Sequence, residues 1–484
     1  MGVTTVNWQG RFAILGWGVS GKASAHTLVK RGAQLCAFDS RAREDDQSEN
    51  DANVEFVSEA DSDALAQAVI DWKPDCIVVS PGIPAHHPIF SAAKNAGIEL
   101  IGEVELAWRL QEDSEHAGRP WLCVTGTNGK TTTVGMLGAM LRAAGENAVE
   151  VGNIGLPICE AIDTDATVFA VELSSFQLHT VSTVSPLASV CLNVDADHLD
   201  WHGSAQAYAA DKAKVYHLTQ KACFYPASDI TVENMVAEAD VVEGARAIGL
   251  TLGIPSISQV GWVEDALVER AFVEKRHMQA QFLAEVDDLR VAYHDGVTDA
   301  ARMDATAAAG LARAFGVPPE AVAQGLRSFT PAHHRRAVIS QAADVTWIDD
   351  SKATNAHAAV ASLSGITPGT AVWIAGGDTK GQEFGDLVAR VAPLLRGVVV
   401  IGKDRSAIVN ALRQRAPQIP FVEVDGHEDW MFSVVNEAVA LSRPGDTVVL
   451  APACASWDQF RSYAQRGDVF RDAVKRLEAN WAAQ

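Results

Sequence analysis

Several simple classes are excluded by what the sequence lacks. No apolar run is long enough to cross a bilayer, and Met1 to Arg11 does not show the charged-then-apolar order of a signal peptide. A cytoplasmic protein without a membrane partner is therefore expected. Basic residues are scarce beside acidic ones, 39 against 61, for a formal net charge of -22. That balance disfavours nucleic acid, whose phosphates are held mainly by clustered Lys and Arg, so any anionic ligand must be gripped locally. There is no C-x-x-C pair: Cys36, Cys76, Cys123, Cys159, Cys191, Cys223 and Cys454 lie far apart, mostly in apolar runs, as reduced core cysteines do. Internal repeats and long low-complexity segments are also missing.

What is present is ordinary for a globular enzyme, with 48% hydrophobic and 21% charged residues. A chain of 484 residues exceeds what one core usually organises, which predicts two or three domains. Apolar runs at Phe12 to Leu15, Gln34 to Phe38 and Cys76 to Val79 alternate with helix-length segments Lys22 to Arg31 and Asp63 to Trp72. The acidic stretch Glu44 to Asp63 reads as a solvated loop and helix surface. Gln111 to Arg119 is polar and aperiodic, placing a first boundary near residue 115. A second domain, 116–331, opens with the strand Trp121 to Val124 and the helix Thr131 to Ala144. Its sheet gains Thr167 to Val171 and Ala188 to Leu192, with residues 223–291 completing it. A third, 332–484, carries strand-like runs at Val345 to Ile348, Ala371 to Ala375, Val398 to Ile401, Phe421 to Val424 and Thr447 to Leu450. The expected fold is α/β throughout: a Rossmann-like amino-terminal domain, a central P-loop ATPase-like domain and a Rossmann-like carboxy-terminal domain.

Chemistry concentrates at strand ends. Gly126-Thr127-Asn128-Gly129-Lys130-Thr131 lies between a strand and a helix, where main-chain N–H groups and the helix dipole favour phosphate. Lys130 would neutralise terminal phosphates and the Thr131 hydroxyl could ligate Mg²⁺. The spacing is shorter than the usual G-x-x-x-x-G-K-[ST], with two residues between Gly126 and Gly129. Gly16-Trp17-Gly18-Val19-Ser20-Gly21, followed by Asp39, Ser40 and Arg41, has the shape of a dinucleotide fingerprint and suits NAD or another nucleotide alike. Glu172 and His198 each follow a strand and form a candidate O and N ligand set for a divalent metal. Tyr208, Lys212 and Tyr216 share a helical face, and Lys212 by itself reads as a solvated helix lysine.

The order of Gly126 to Thr131, Gly152-Asn153-Ile154-Gly155, Glu172 to Gln177, Asp197-His198, His334-Arg335 and Asp350-Ser351-Lys352-Ala353-Thr354-Asn355 resembles that of the bacterial Mur ligases, across all three domains. The phosphate loop is shared across that family and with folylpolyglutamate synthases. The Asp350 to Asn355 run, with Pro452-Ala453-Cys454-Ala455-Ser456 and Asp458-Gln459-Phe460, resembles the D-glutamate-adding branch. The resemblance implies an ATP-dependent ligase of peptidoglycan precursor synthesis that forms a C–N bond through an acyl phosphate. Its small-molecule substrates would be UDP-N-acetylmuramoyl-L-alanine and D-glutamate, and the enzyme would act as a monomer.

Residue by residue, the resemblance assigns Gly126, Thr127, Asn128, Gly129, Lys130, Thr131, Thr132, Asp304, Arg335, Asp350 and Lys352 to ATP. Thr131, Glu172, His198 and a carbamylated Lys212 would hold Mg²⁺, with Lys130, His198 and Lys212 as catalytic groups. Carbamylation replaces the cation of Lys212 by an anion, which overturns the solvated reading. Val19, Ser20, Asp39, Ser40, Arg41, Gly82, Asn153, Ser174 and Gln177 match the UDP-substrate site, which displaces NAD. His334, Thr354, Lys380, Ser456, Trp457 and Tyr463 match the D-glutamate pocket, although Gly376 to Lys380 alone would pass for a structural turn. Two positions depart from the family pattern: Asp304 and Asp349 stand where Asn is common, and a carboxylate cannot donate a hydrogen bond.

Overall fold

The computed structural model describes residues 7–41, 54–195, 197–293, 296–342, 344–426 and 429–482. Its backbone forms three sheets and two compact units, residues 1–285 with 303–326 and residues 286–302 with 327–484. The first unit contains two sheets. In the amino-terminal one, the strands lie in the spatial order Glu55–Ser58, Gln34–Asp39, Arg11–Leu15, Cys76–Val79 and Glu99–Gly102, all parallel. Chain order reverses between Arg11–Leu15 and Cys76–Val79. Doubly wound sheets open a ligand crevice outside the carboxyl ends at such a point.

The second sheet has nine strands. Trp121–Thr125 lies between Val168–Glu172 and Ala188–Cys191, with Ala148–Gly152 beyond the first of these. Ala222–Pro226 and Arg246–Leu250 continue the parallel set on the other side, followed by Gln259–Val263 and the antiparallel Ala266–Glu269 and Gln281–Glu285. Residues 223–285 thus supply strands and loops of this sheet, whereas 286–291, expected to do the same, fall in the second unit, where Val286–Arg290 is a helix. Trp121–Thr125 is buried along its whole length, which is why it reads as an uninterrupted apolar run.

The second unit has one six-stranded sheet in the order Ala337–Ala342, Val345–Asp349, Thr447–Leu450, Ala371–Gly376, Leu395–Ile401 and Phe421–Glu423. All pairs are parallel except the first. Apolar clusters cover both of its faces.

The five strands expected in this last sheet are present, and the sheet adds Ala337–Ala342. Glu55–Ser58 corrects the reading of 44–63 as loop and helix surface; residues 44–53 lie outside the described ones. The strand is short, charged and on the sheet edge, where one-sided pairing does not require a continuous apolar run. All seven cysteines are buried. Among the described residues, no helix is long and apolar enough to cross a membrane.

Within the first unit, the helix Glu103–Glu112 joins the two sheets through buried carboxylates. Glu103 accepts the Cys159 N–H at 2.8 Å, at the start of the helix Ile158–Ala161. Glu105 accepts the N–H and hydroxyl groups of both Ser182 and Thr183, and Arg109 bonds it from one turn on. A single apolar core, from Phe12 and Leu28 through Val104 and Trp121 to Ile162 and Leu178, runs behind these contacts.

Burial raises the Glu103 carboxyl from 4.5 to about 7, against the pull of the 158 and 159 amides. Because the folded value lies above the unfolded one, its stabilising contribution is full below 4.5 and is lost as pH rises through 7. Glu103→Gln should therefore gain melting temperature relative to wild type between about pH 5 and about pH 8, by up to about 3 kcal/mol in stability. Scanning fluorimetry across that range checks the sign.

Candidate active site

The phosphate-loop segment follows Trp121–Thr125 and turns into the helix Lys130–Ala143. Its shape depends on Gly129, which has φ +87°; a Cβ there would come within 2.4 Å of Asp304 Oδ1. The loop is fastened from outside. Asn193 Oδ1 accepts the Asn128 N–H at 2.9 Å while its Nδ2 donates to Asn128 O, and the Thr127 N–H bonds to Asn193 O. The Thr127 hydroxyl is 2.9 Å from the Tyr208 hydroxyl and accepts the Asp195 N–H. Lys130 Nζ folds over the loop and donates to the carbonyls of Gly126 and Thr127 at 2.8 and 3.0 Å. Thr132 continues the first helical turn, and Asp304 lies behind the loop with the Thr133 hydroxyl 3.3 Å from its Oδ1. At position 304 the neighbours include donors, which a carboxylate can accept.

At the end of Val168–Glu172, the Glu172 side chain is 1% exposed. One oxygen accepts the Thr131 hydroxyl at 2.7 Å and the other the Asn153 amide at 2.8 Å. Lys212 is also 1% exposed, so it is no solvated helix lysine; its Nζ lies over the Tyr208 ring at 4.8 Å. Burial first, and then the charge of Lys130, lower its pKa from 10.5 to about 7. His198 has a left-handed backbone, φ 52°, and its ring packs against Phe176 at 4.8 Å. A non-glycine residue held there stores strain of a kind common at functional sites. Among the described residues, no three His, Cys, Asp or Glu side chains converge as a metal cluster. The set suggested by the sequence instead combines one carboxylate and one imidazole with a threonine and a lysine.

A cavity of about 620 Å³ opens at the reversal point of the amino-terminal sheet. Gly18, Val19, Ser20, Asp39, Ser40, Arg41 and Gly82 line it from that sheet, and Asn153 and Gln177 from the central one. Eight of the nine residues matched to the UDP substrate thus come together. The ninth, Ser174, is the N-cap of the helix Ser175–Leu178, in a reciprocal capping box with Gln177. Asp39 is 6% exposed, with its oxygens taken by the Trp17 and Arg41 amides and the Arg41 side chain, so it shapes the rim.

In the second unit, His334, Arg335, Asp350, Lys352 and Thr354 cluster at the end of Val345–Asp349. His334 has φ 62° and its Nδ1 is 2.6 Å from Asp349 Oδ2, a contact that raises the imidazole pKa. Holding this histidine is therefore what the aspartate at 349 does. Burial raises the Asp350 carboxyl to about 6 despite Ser362, Arg335 and Arg336. The Lys352 and Thr354 amides bond to His334 O and Lys352 O, and Lys352 Nζ lies 4.0 Å from the Tyr463 ring centre. The loop carrying Lys380, φ 48°, is held by reciprocal Asp378–Ala455 backbone bonds, so the 376–380 turn is tied to the segment bearing Ser456. Trp457, 69% exposed, borders a separate cavity with Gln459, Phe460, Arg461 and Gln465 that none of the other D-glutamate candidates lines. Sequence reasoning missed Arg466: buried, it donates to Ser351 and to the carbonyls of Cys454 and Ala455. A lone arginine in a helix gives no signal of such burial.

Comparison with known proteins bears on the family and the fold. The chain matches the Mur ligase MurD-like N-terminal domain over residues 10–102, the Mur ligase middle domain over 124–249 and the Mur ligase glutamate ligase domain over 334–454. It is 47% identical to a UDP-N-acetylmuramoylalanine--D-glutamate ligase of Streptomyces coelicolor, over 96% of this chain and 98% of the relative. Identity to the protein of that name from Streptomyces avermitilis is also 47%, over 98% and 100%. Among solved structures, MurF ligase from Thermotoga maritima in complex with ADP has the same fold, at a TM-score of 0.57 and 14% identity, covering 98% of this chain and 100% of that one.

If the loop holds phosphate, Lys130 Nζ has only to exchange two loop carbonyls for phosphate oxygens. Lys130→Ala should lower phosphate release from ATP by about 10³-fold with the fold intact by circular dichroism. Turnover within a few-fold of wild type would remove the loop from the chemistry.

Proposed function

The chain belongs to the Mur ligase family, and from that premise we propose that it uses ATP to join D-glutamate to UDP-N-acetylmuramoyl-L-alanine in peptidoglycan precursor synthesis. One observation carries the reading. Asn153, which lines the 620 Å³ cavity, hydrogen-bonds Glu172, and Glu172 hydrogen-bonds Thr131 of the phosphate loop. A substrate seated in the cavity with its free carboxylate toward Asn153 therefore ends beside the bound γ-phosphate. Such positioning converts an encounter of two solutes into a reaction within one site.

The L-alanine carboxylate attacks the γ-phosphorus, ADP leaves, and the acyl phosphate accepts the D-glutamate amine before expelling phosphate. Lys130 and the loop amides neutralise charge on the transferred group, because phosphoryl transfer is served chiefly by positioning and electrostatics. The oxygen ligands present suit Mg²⁺: the Thr131 hydroxyl already donates to the buried Glu172 carboxylate, so both oxygens face the same point. Thr131, Glu172, His198 and Lys212 would hold the ion, which supplies further charge neutralisation when bound. Lys212 fits a ligand role as a carbamate. Its lowered pKa leaves a large share of neutral amine at physiological pH, and that amine bonds to the carbon of CO₂ with loss of one proton.

Val19, Ser20, Ser40, Arg41 and Gly82 hold the UDP portion, with Asp39 shaping the loop they stand on. Arg335, Asp350 and Lys352 serve ATP. His334, Thr354, Lys380, Ser456, Trp457 and Tyr463 serve D-glutamate, where Lys380 pairs with a carboxylate. The enzyme acts in the cytoplasm as a monomer, on small molecules rather than nucleic acid or membrane.

Phosphate release from ATP by the purified protein should require both UDP-N-acetylmuramoyl-L-alanine and D-glutamate, rising at least about 10²-fold over either alone. Stimulation by a different amino acid in place of D-glutamate would keep the ligase and discard the branch. Stimulation by neither would discard both.

A further inference from the structure

One cluster of titratable groups is absorbed by none of the roles above. Asp211, 6% exposed, immediately precedes Lys212 in the helix Ala205–Ala213. Its Oδ2 lies 2.8 Å from His179 Nδ1 and 3.1 Å from His202 Nδ1, and its Oδ1 lies 2.9 Å from Lys214 Nζ. An ionised carboxylate only accepts, so each Nδ1 carries the hydrogen. His202 Nε2 is then left to accept the hydroxyl of Ser175 at 3.0 Å.

Ser175, His202 and Asp211 are connected in the order of a nucleophilic triad, but Ser175, which opens a helix, is 3% exposed and so closed to a substrate. The arrangement reads better as a lock. His202 ends the helix Leu199–His202, which His198 begins, and Ser175 begins the helix Ser175–Leu178, which carries Gln177. Phe176 stacks on the His202 ring at 5.5 Å, and Phe90 of the amino-terminal sheet's helix Pro88–Ala96 meets His179 edge-on at 5.3 Å. One carboxylate therefore fastens together the segments bearing Gln177, His198 and Lys212.

Building on the reading of Lys212 as a carbamate, we propose that Asp211 is a positioning residue for its neighbour. By gripping His179, His202 and Lys214 it fixes the pose of the Lys212 amine beside Glu172 and the phosphate loop, and so sets how readily that amine takes up CO₂. A backbone constraint one residue away acts on Lys212 without touching substrate, as outer partners of ligating groups commonly do.

The test uses full-length wild type, Asp211→Ala and the isosteric Asp211→Asn. Each protein is equilibrated with ¹³C-bicarbonate, and its carbamate resonance is followed by ¹³C NMR as bicarbonate is titrated, alongside ligase turnover and melting temperature. Half-occupancy of the carbamate should need about tenfold more bicarbonate in Asp211→Ala, with a smaller shift in Asp211→Asn. Turnover should recover toward wild type as bicarbonate rises, while KM for D-glutamate stays unchanged. Variants that load with carbamate at the wild-type midpoint and lose only melting temperature would show Asp211 to be a structural residue, and the proposal would fall. Absence of a carbamate signal in wild type would remove the reading of Lys212 itself and this proposal with it. Should Asp211→Ala fail to fold, the Asp211→Asn midpoint decides alone.

Discussion

The site depends on one buried carboxylate. Glu172 ends an interior strand, has almost no access to water, and divides its two oxygens between the Thr131 hydroxyl and the amide of Asn153, which lines the 620 Å³ cavity. A carboxylate this deep is tolerated only where its lone pairs are satisfied or a cation is nearby. That requirement holds Thr131 and Asn153 in place, and through them brings the glycine loop and the cavity to a common edge. The parallel sheet makes the meeting possible, because its strand ends all point the same way and present their loops to one crevice.

Buried polar groups also keep the two sheets of the first unit in register. Glu103 and Glu105 reach from one helix into backbone amides that follow the central sheet, while a continuous apolar core supplies the bulk of the cohesion. Apolar contact alone would permit small slides. Directional hydrogen bonds to carboxylates permit few, since displacing one leaves a buried charge unpaired. The cavity at the reversal point, with walls from both sheets, is therefore formed by the same contacts that join them.

The second unit repeats the strategy with different groups. Its two loops, 349–355 and 452–456, are joined by Arg466, whose guanidinium is spent entirely on backbone carbonyls and the Ser351 hydroxyl. His334 and Lys380 are both held at positive φ beside these loops. Asp349, which departs from the family pattern, supplies the carboxylate that grips His334.

The local parts of this architecture were legible in the sequence. Strand, glycine turn and helix start lie within a dozen residues at Trp121 to Thr131, so that turn, and Glu172 at a neighbouring strand end, could be placed from the sequence. The same holds for the buried parallel strands, whose apolar runs carry their own signal. The strand Glu55–Ser58 was missed because an edge strand needs no such run. Lys212 looked solvated because burial is a property of what packs over a residue, and Tyr208 and its surroundings are assembled only by folding. Asp211 could not be singled out at all: its partners His179 and His202 stand 32 and 9 residues away in the chain, and nothing in an acidic residue on a helix announces which donors will reach it. Sequence determined which chemical groups sit at the strand ends, since that follows from neighbouring residues. Tertiary structure alone decided which of them lose water and share hydrogen bonds, because desolvation and hydrogen-bond geometry depend on atoms brought together from distant parts of the chain.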